Sequence, residues 1–329
     1  MNDTSMNFTS FTQTILKNLQ DKLGNSYSVF SHNVKKNNGI NLTGIVVKRN
    51  GCNASPTFYI DDLYKEGITE EEINKISDSL YDEFQTVGFK DDLDLSGFVD
   101  FDMAKQRLVF KLIHAKKNKE LLKMVPHKLF HNLALVFSYT VNEAPFYGKA
   151  AILVYNSHMR QWGISLETLF QTAYDNAPVL FPDIIENMQD VMREMLIEGL
   201  KDDILNKGSA EGLFDEEWTQ ELVGQIMEGI KEPNMDMYVL TNKQKLHGAA
   251  CMLYPGVLKA FAEKIQQDLY ILPSSIHEVI LVPANADVEK KALQEIVTEI
   301  NRTQVAEEEV LADSVYFYSR SRDKILWIL

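Results

Sequence analysis

Apolar positions recur at two spacings along this chain, and the switch between them outlines its elements. From Phe8 to Leu23 they fall at Phe8, Phe11, Ile15, Leu16, Leu19 and Leu23. That is the helical period, and Gly24-Asn25 supplies a stop. Ile40 to Val47 and Thr57 to Ile60 are rich in β-branched and aromatic residues and predict strands. Thr69 then caps a helix whose Glu70, Glu71 and Glu72 complement the positive end of its dipole. Its stripe is Ile73, Ile76, Leu80 and Phe84.

Gln106 to His114 alternates with period two. Leu108, Phe110 and Leu112 face one way, and Arg107, Val109, Lys111 and Ile113 the other, which predicts a strand with an exposed basic face. Val125-Pro126 marks a domain boundary, because Asn132 to Val141 and Lys149 to Tyr155 read as a hairpin opening a new sheet. A helix capped by Ser165 follows, with Leu166, Leu169, Phe170 and Ala173 on one face. Beyond Phe181-Pro182, a second amphipathic helix is expected from about Asp183 to Leu200, with Ile184, Ile185, Met188, Val191, Met192, Met195 and Leu196 inward.

A polar linker near Lys207 to Gly212 and a helix around Glu216 to Ile230 lead to a mixed C-terminal segment. Met235 to Leu240, Leu269 to Leu272 and Glu278 to Val282 predict strands, and Asp287 to Ile300 a helix. Ala249 to Gln267 is helical with a break at Pro255-Gly256. Val315 to Tyr318 and Lys324 to Ile328 close the chain as a hairpin. Hairpins mixed with helices define an α+β fold: two packed mixed units with antiparallel hairpins and helices covering the sheets. The expected domains are 1–127 and 128–329, the second containing an acidic helical segment, 183–232.

At 329 residues, two cores are the prior expectation, and 45% hydrophobic with 24% charged residues is a globular composition. No stretch reaches the roughly 20 apolar residues that span a bilayer, and the first ten residues lack the features of a signal peptide. The expectation is a soluble, cytoplasmic protein with no membrane partner. Cys52 and Cys251 sit far apart and outside any Cys/His cluster, so neither a disulfide framework nor a zinc site is expected.

The net charge of −14 is lopsided. Residues 1–150 hold 18 bases and 18 acids, residues 151–329 hold 15 and 29, and positions 183–232 alone hold 14 acids against 4 bases. Lys105 to Lys128 runs the other way, with eight bases and one acid. That segment is the place for nucleic-acid contact, if there is any. The plainer reading is that basic and acidic stretches face each other or cover separate solvated surfaces, so nucleic acid is not the expected partner.

Candidate chemistry gathers in LPSSIHEVILVP, Leu272 to Pro283. In an extended segment Ser275 and His277 share one face, while Ser274, Ile276 and Glu278 share the other. His277 and Glu278 then cannot orient one another as base and carboxylate. A Ser275-His277 pair can approach, but a triad needs an acid from elsewhere. If Pro273 to Ser275 turn instead, the hydroxyls satisfy loose backbone amides. HExxH, GxSxG, GxGxxG and the P-loop are all missing, so no metal and no cofactor is implied.

A second segment, YVLTNKQKLHGAACMLYPG, carries Asn242 and His247 in a polar loop. Gly248-Ala249-Ala250 then enters a helix with little side-chain bulk. Small residues there permit close packing of the helix on the sheet, or close approach of a ligand. If the strands around Tyr238 and Leu272 are neighbours, Asn242, His247, Gly248, Ser274, Ser275, His277 and Glu278 converge at one sheet edge as a ligand site. In a hydrolase or transferase using the same residues, His277 is the base, Ser275 or Ser274 the nucleophile, and Asn242 or His247 assists. The reading preferred on these grounds is a non-catalytic module that binds a protein or a small molecule.

The combination of WGISLETLFQTAYDN, YVLTNKQKLHGAACMLYP and LPSSIHEVILVP resembles an uncharacterised bacterial family, domain of unknown function 5688. The resemblance is best over Lys149 to Pro283. It implies a soluble bacterial protein and supplies no activity, cofactor or catalytic residue.

Overall fold

A computed structural model describes residues 7–53, 55–87, 95–141, 150–206, 216–229, 236–284 and 289–328. The linker expected near Lys207 to Gly212 lies outside the described residues. The fold is α+β. The chain folds as two compact units: Met1–Leu108 with Lys117–Pro126 and Ser138–Leu166, and Val109–Lys116 with His127–Phe137 and Glu167–Leu329. It thus passes from one unit to the other several times.

In the first unit, helix Phe8–Leu23 starts where the Asn7 side chain accepts from the Ser10 amide at 2.9 Å, and it stops at Gly24 with φ 70°. Its apolar stripe, Phe11, Ile15 and Leu19, packs with Ile45, Val47 and Phe58 of an antiparallel sheet. That sheet is built from strands Tyr27–Lys35, Asn41–Arg49 and Thr57–Tyr59. Ile73, Leu80 and Phe84 of helix Glu70–Val87 complete the core. Thr69 and Glu72 form a reciprocal cap at its start: the Glu72 carboxylate accepts from the Thr69 amide at 2.9 Å, and the Thr69 hydroxyl accepts from the Glu72 amide at 3.3 Å.

Leu108–His114 is a strand, but its expected exposed basic face is not there. Val109 and Ile113 are as buried as Leu108 and Leu112, and only Lys111 and His114 are part-exposed. A strand covered on both faces reads as a near-continuous apolar run, and the alternation of Lys111 alone misled.

The second unit is organised on a six-stranded antiparallel sheet. Its spatial order is Lys324–Trp327, Tyr316–Ser319, Leu269–Leu272, Val279–Pro283, Tyr238–Asn242 and Asp183–Asn187. Tyr270, Leu272, Ile280 and Val282 form a core with Leu293 and Val297 of helix Lys290–Thr303. Helix Val257–Ile265 packs through Phe261 on Tyr238, with ring centroids 4.9 Å apart.

Three expectations fail in this unit. Asp183 to Asn187 is an edge strand and not the first turns of a helix; the helix is Met188–Asn206. Ile184 and Ile185 gain a full antiparallel register opposite Thr241 and Leu240, and β-branched pairs suit that surface. The Asn187 side chain accepts from the Gln189 amide at 2.8 Å and so starts the helix after the strand. Met195, expected inward, is 65% exposed. The strands flanking Tyr238 and Leu272 are also not neighbours, because Val279–Pro283 lies between them.

Candidate functional site

The segment Leu272 to Pro283 is not one extended strand. The strand ends at Leu272 and resumes at Val279, with a bend at Ile276-His277 between. Pro273 has no amide to give a ladder, and the backbone here pairs with another partner, the segment 309–312. The Ile276 amide donates to Glu309 O at 2.8 Å, the Leu311 amide to Ser274 O at 2.9 Å, and the Ala312 amide to Pro273 O at 3.0 Å. Ser274 and Ser275 are buried by this pairing.

The bend redistributes the side chains. Ser275 Oγ accepts from the His277 amide at 2.9 Å. Burial pushes the Glu278 carboxyl above its ordinary range, and Glu309 adds to the shift, while Ser275 and His277 oppose it.

His277 is held at both ring nitrogens. Its Nδ1 accepts from the His247 amide at 3.2 Å, which places the ring proton of the neutral imidazole on Nε2. Nε2 stands 3.4 Å from Glu309 Oε1. Among the described residues, no hydrogen bond joins the Ser275 hydroxyl to the His277 ring.

Two elements deliver His247 to this place. Asn242 ends the strand Tyr238–Asn242 and is 1% exposed. Its side chain accepts from the Gln244 and Leu246 amides at 3.1 and 3.2 Å and donates to Leu246 O at 2.8 Å, curling the loop back on itself. His247 then takes a left-handed conformation, φ 53°, and starts the 3-10 turn Gly248–Leu253. Its ring stacks on His277 with centroids 5.4 Å apart and planes 12° apart. Among the described residues the buried His247 Nδ1 has no hydrogen-bond partner, and burial holds the imidazole down at about 2, helped by the nearby charge of Lys111 and by His277.

Gly248 explains the small-residue run. A Cβ there would stand 2.5 Å from His277 O and 2.8 Å from the Asn242 amide nitrogen, and closer still to Thr241 Oγ1. The hydroxyl of Thr241 donates to His277 O at 2.7 Å. Asn242, His247, Gly248, Ser275, His277 and Glu278 thus do converge, with Ser274 beside them on the backbone pairing. Their polar atoms are spent mainly on each other's main chain.

The residues lining a cleft of this unit were not among those singled out. It encloses about 610 Å³ between the hairpin tip at Leu129, Phe130 and His131, the Met252 to Lys259 segment, and the terminal hairpin. Rings of Phe130, His131, Tyr174 and Tyr254 line it. Lys259 stands 3.7 Å from Asp323, whose other oxygen accepts from the Tyr318 hydroxyl at 2.6 Å. The signals were the two left-handed residues, His131 with φ 54° and Asp323 with φ 49°, which turn both hairpins sharply.

Of the basic segment, Lys105 pairs with Asp102, Lys123 with Glu120 and Lys128 with Glu167, at 2.7 Å in each case. Among the described residues no three His, Cys, Asp or Glu side chains converge to hold a metal ion, and no helix is long and apolar enough to cross a membrane.

Fold and site together define an α+β protein whose larger sheet carries a histidine-braced turn and, in the same unit, an aromatic-lined cleft. The chain belongs to the family described as Family of unknown function (DUF5688), whose model matches residues 8–320. The match covers far more than the segment on which the resemblance was best. No curated protein and no solved structure matches the chain.

Proposed function

We propose that the chain is a non-catalytic binding module of the bacterial cytoplasm, and that it takes a small molecule in the cleft of about 610 Å³. The observation that carries the reading is the state of His277. Its Nδ1 is spent on the His247 amide, and the Ser275 oxygen accepts from the His277 amide and not from the ring. A nucleophile and its base must share a hydrogen bond, and this pair braces a turn instead. The cleft has the volume of a small-ligand site, and aromatic rings and polar groups share its lining.

Two measurements test this on the full chain. A panel of ester, amide, phosphoester and glycoside substrates should show no turnover; activity that disappears in a folded His277→Ala variant overturns the reading in favour of a hydrolase. A thermal-shift screen of small aromatic compounds, including anionic ones, should find ligands that raise the melting temperature. Ligand at about 100 times its Kd adds roughly 2.7 kcal/mol of stability. Leu129 is 67% exposed on the cleft rim, so Leu129→Arg should block the cleft and abolish the shift without harming the fold. Ligands that stabilise both chains equally place the site elsewhere.

A further inference from the structure

The edge strand Asp183–Asn187 ends the six-stranded sheet, and among the described residues no strand pairs with its outer side. The bonds that flank it fix which of its backbone groups face out. The Lys243 amide donates to Pro182 O at 3.0 Å, and the Met188 amide donates to Met237 O at 2.9 Å. In an antiparallel pair the bonded positions alternate, so Ile184 and Glu186 also turn their backbone groups inward to Tyr238–Asn242. Asp183, Ile185 and Asn187 therefore turn theirs outward. Open edges of this kind are kept from pairing at random by shortness and charge, by a bulge or by a proline; DIIEN is five residues long and carries Asp183 and Glu186, so its guard is negative charge, and it holds no lysine or proline.

A groove of about 490 Å³ runs alongside that edge. Asp183, Ile184 and Ile185 line one wall, and Val257, Ala260, Phe261 and Lys264 of helix Val257–Ile265 line the other. The register explains why. Ile185 lies opposite Leu240 and Asn187 opposite Tyr238, so their side chains share the face on which Tyr238 meets Phe261. A segment added as the next strand would send every second side chain into this groove. Strand, open edge and helix wall together form the arrangement that binds peptides by strand addition.

Charge selects the occupant. Asp183 and Glu186 lie in the strand and Asp190 in the first turn of the helix that follows, within the stretch of 14 acids against 4 bases. A second copy of a chain with net charge −14 is repelled from this edge, whereas a basic segment is attracted. We propose that the outer edge of Asp183–Asn187 docks an extended, basic segment of a partner protein as an added strand, with its apolar side chains against Val257 and Phe261. This site is separate from the aromatic-lined cleft, and it stands or falls independently of that reading.

The test uses the full chain and a labelled peptide of about seven residues alternating lysine and valine, read by fluorescence anisotropy. Binding is expected below about 1 mM, to weaken as salt rises, and to protect the amides of Asp183, Ile185 and Asn187 from hydrogen exchange. Ile185→Pro removes one outward amide and no bond to Tyr238–Asn242, so it should weaken binding at least about tenfold. If that variant loses its circular dichroism spectrum, Asp183→Asn with Glu186→Gln serves instead, with the same tenfold weakening expected. No binding by the parent chain, equal binding by the variants, or protection confined to other strands overturns the proposal. So does a concentration-dependent dimer that Ile185→Pro dissolves, since a second copy would then be the occupant.

Discussion

Gly248→Ala asks whether the turn at His277 and the strand end at Asn242 are fitted against each other through a missing methyl group. The new Cβ would lie 2.5 Å from His277 O and 2.8 Å from the Asn242 nitrogen, where contact distances are about 3.5 Å. Both are main-chain atoms, one in the bend and one in the sheet, so neither can rotate away. Separation by roughly 1 Å also breaks the Thr241 hydroxyl bond to His277 O. Overpacking of this kind costs about 1 to 3 kcal/mol and the lost hydrogen bond about 1 more, so a loss near 3 kcal/mol is expected. With a urea slope of about 3 kcal/mol per molar, the midpoint should fall by about 1 M, followed by tryptophan fluorescence. A loss below about 0.5 kcal/mol would refute the close fit.

Gly199→Ala is the contrasting substitution, since a Cβ there meets nothing within 4 Å on an exposed helical position; it should raise stability by about 0.5 to 1 kcal/mol in the same urea assay, and a loss would count against the helix Met188–Asn206. His247 is held neutral down to about 2 in the folded chain but protonates near its ordinary 6.5 when unfolded, so acid favours the unfolded state. The parent should lose up to about 2 kcal/mol between pH 7 and pH 5 from this group, and His247→Asn, which tolerates the left-handed backbone, should lose that dependence. Glu278 works in the opposite sense, because a carboxyl raised on folding is stabilising at low pH and loses that contribution as pH rises; it is common to both chains, so the difference between their urea midpoints isolates His247. Identical pH profiles would show that His247 is solvated in the native state. Ser275→Ala leaves the His277 amide without its acceptor and should cost about 1 to 2 kcal/mol, while an NMR titration finds Glu278 raised further, since Ser275 opposes the upward shift; a loss below about 0.5 kcal/mol refutes the bond to the His277 amide.

How much of this was legible in the sequence follows from where each decision is made. Helix Phe8–Leu23 and the cap at Thr69 were readable because caps, stops and apolar stripes are local, within a few residues of one another, though the return bond from Glu72 was not foreseen. Asp183 to Asn187 was misread because Ile184, Ile185 and Met188 satisfy helical spacing as well as alternation. The deciding contact, the register opposite Tyr238–Asn242, lies more than 50 residues away. A local clue was present in Asn187, a good helix starter standing after Pro182 and five residues too late for a helix begun at Asp183. The meeting of Asn242, His247 and His277 was expected from a pairing of Tyr238–Asn242 with Leu269–Leu272 that the sheet does not have; they meet because the bend leads into Val279–Pro283, the strand beside Tyr238–Asn242. The bend itself was not legible, since it depends on segment 309–312 capturing the backbone of Pro273 to Ile276. That distinction bears on function. Residue types announce which chemistry is available, but hydrogen-bond partners decide whether it is spent, and at His277 both ring nitrogens are engaged by groups that no nearby sequence position reveals.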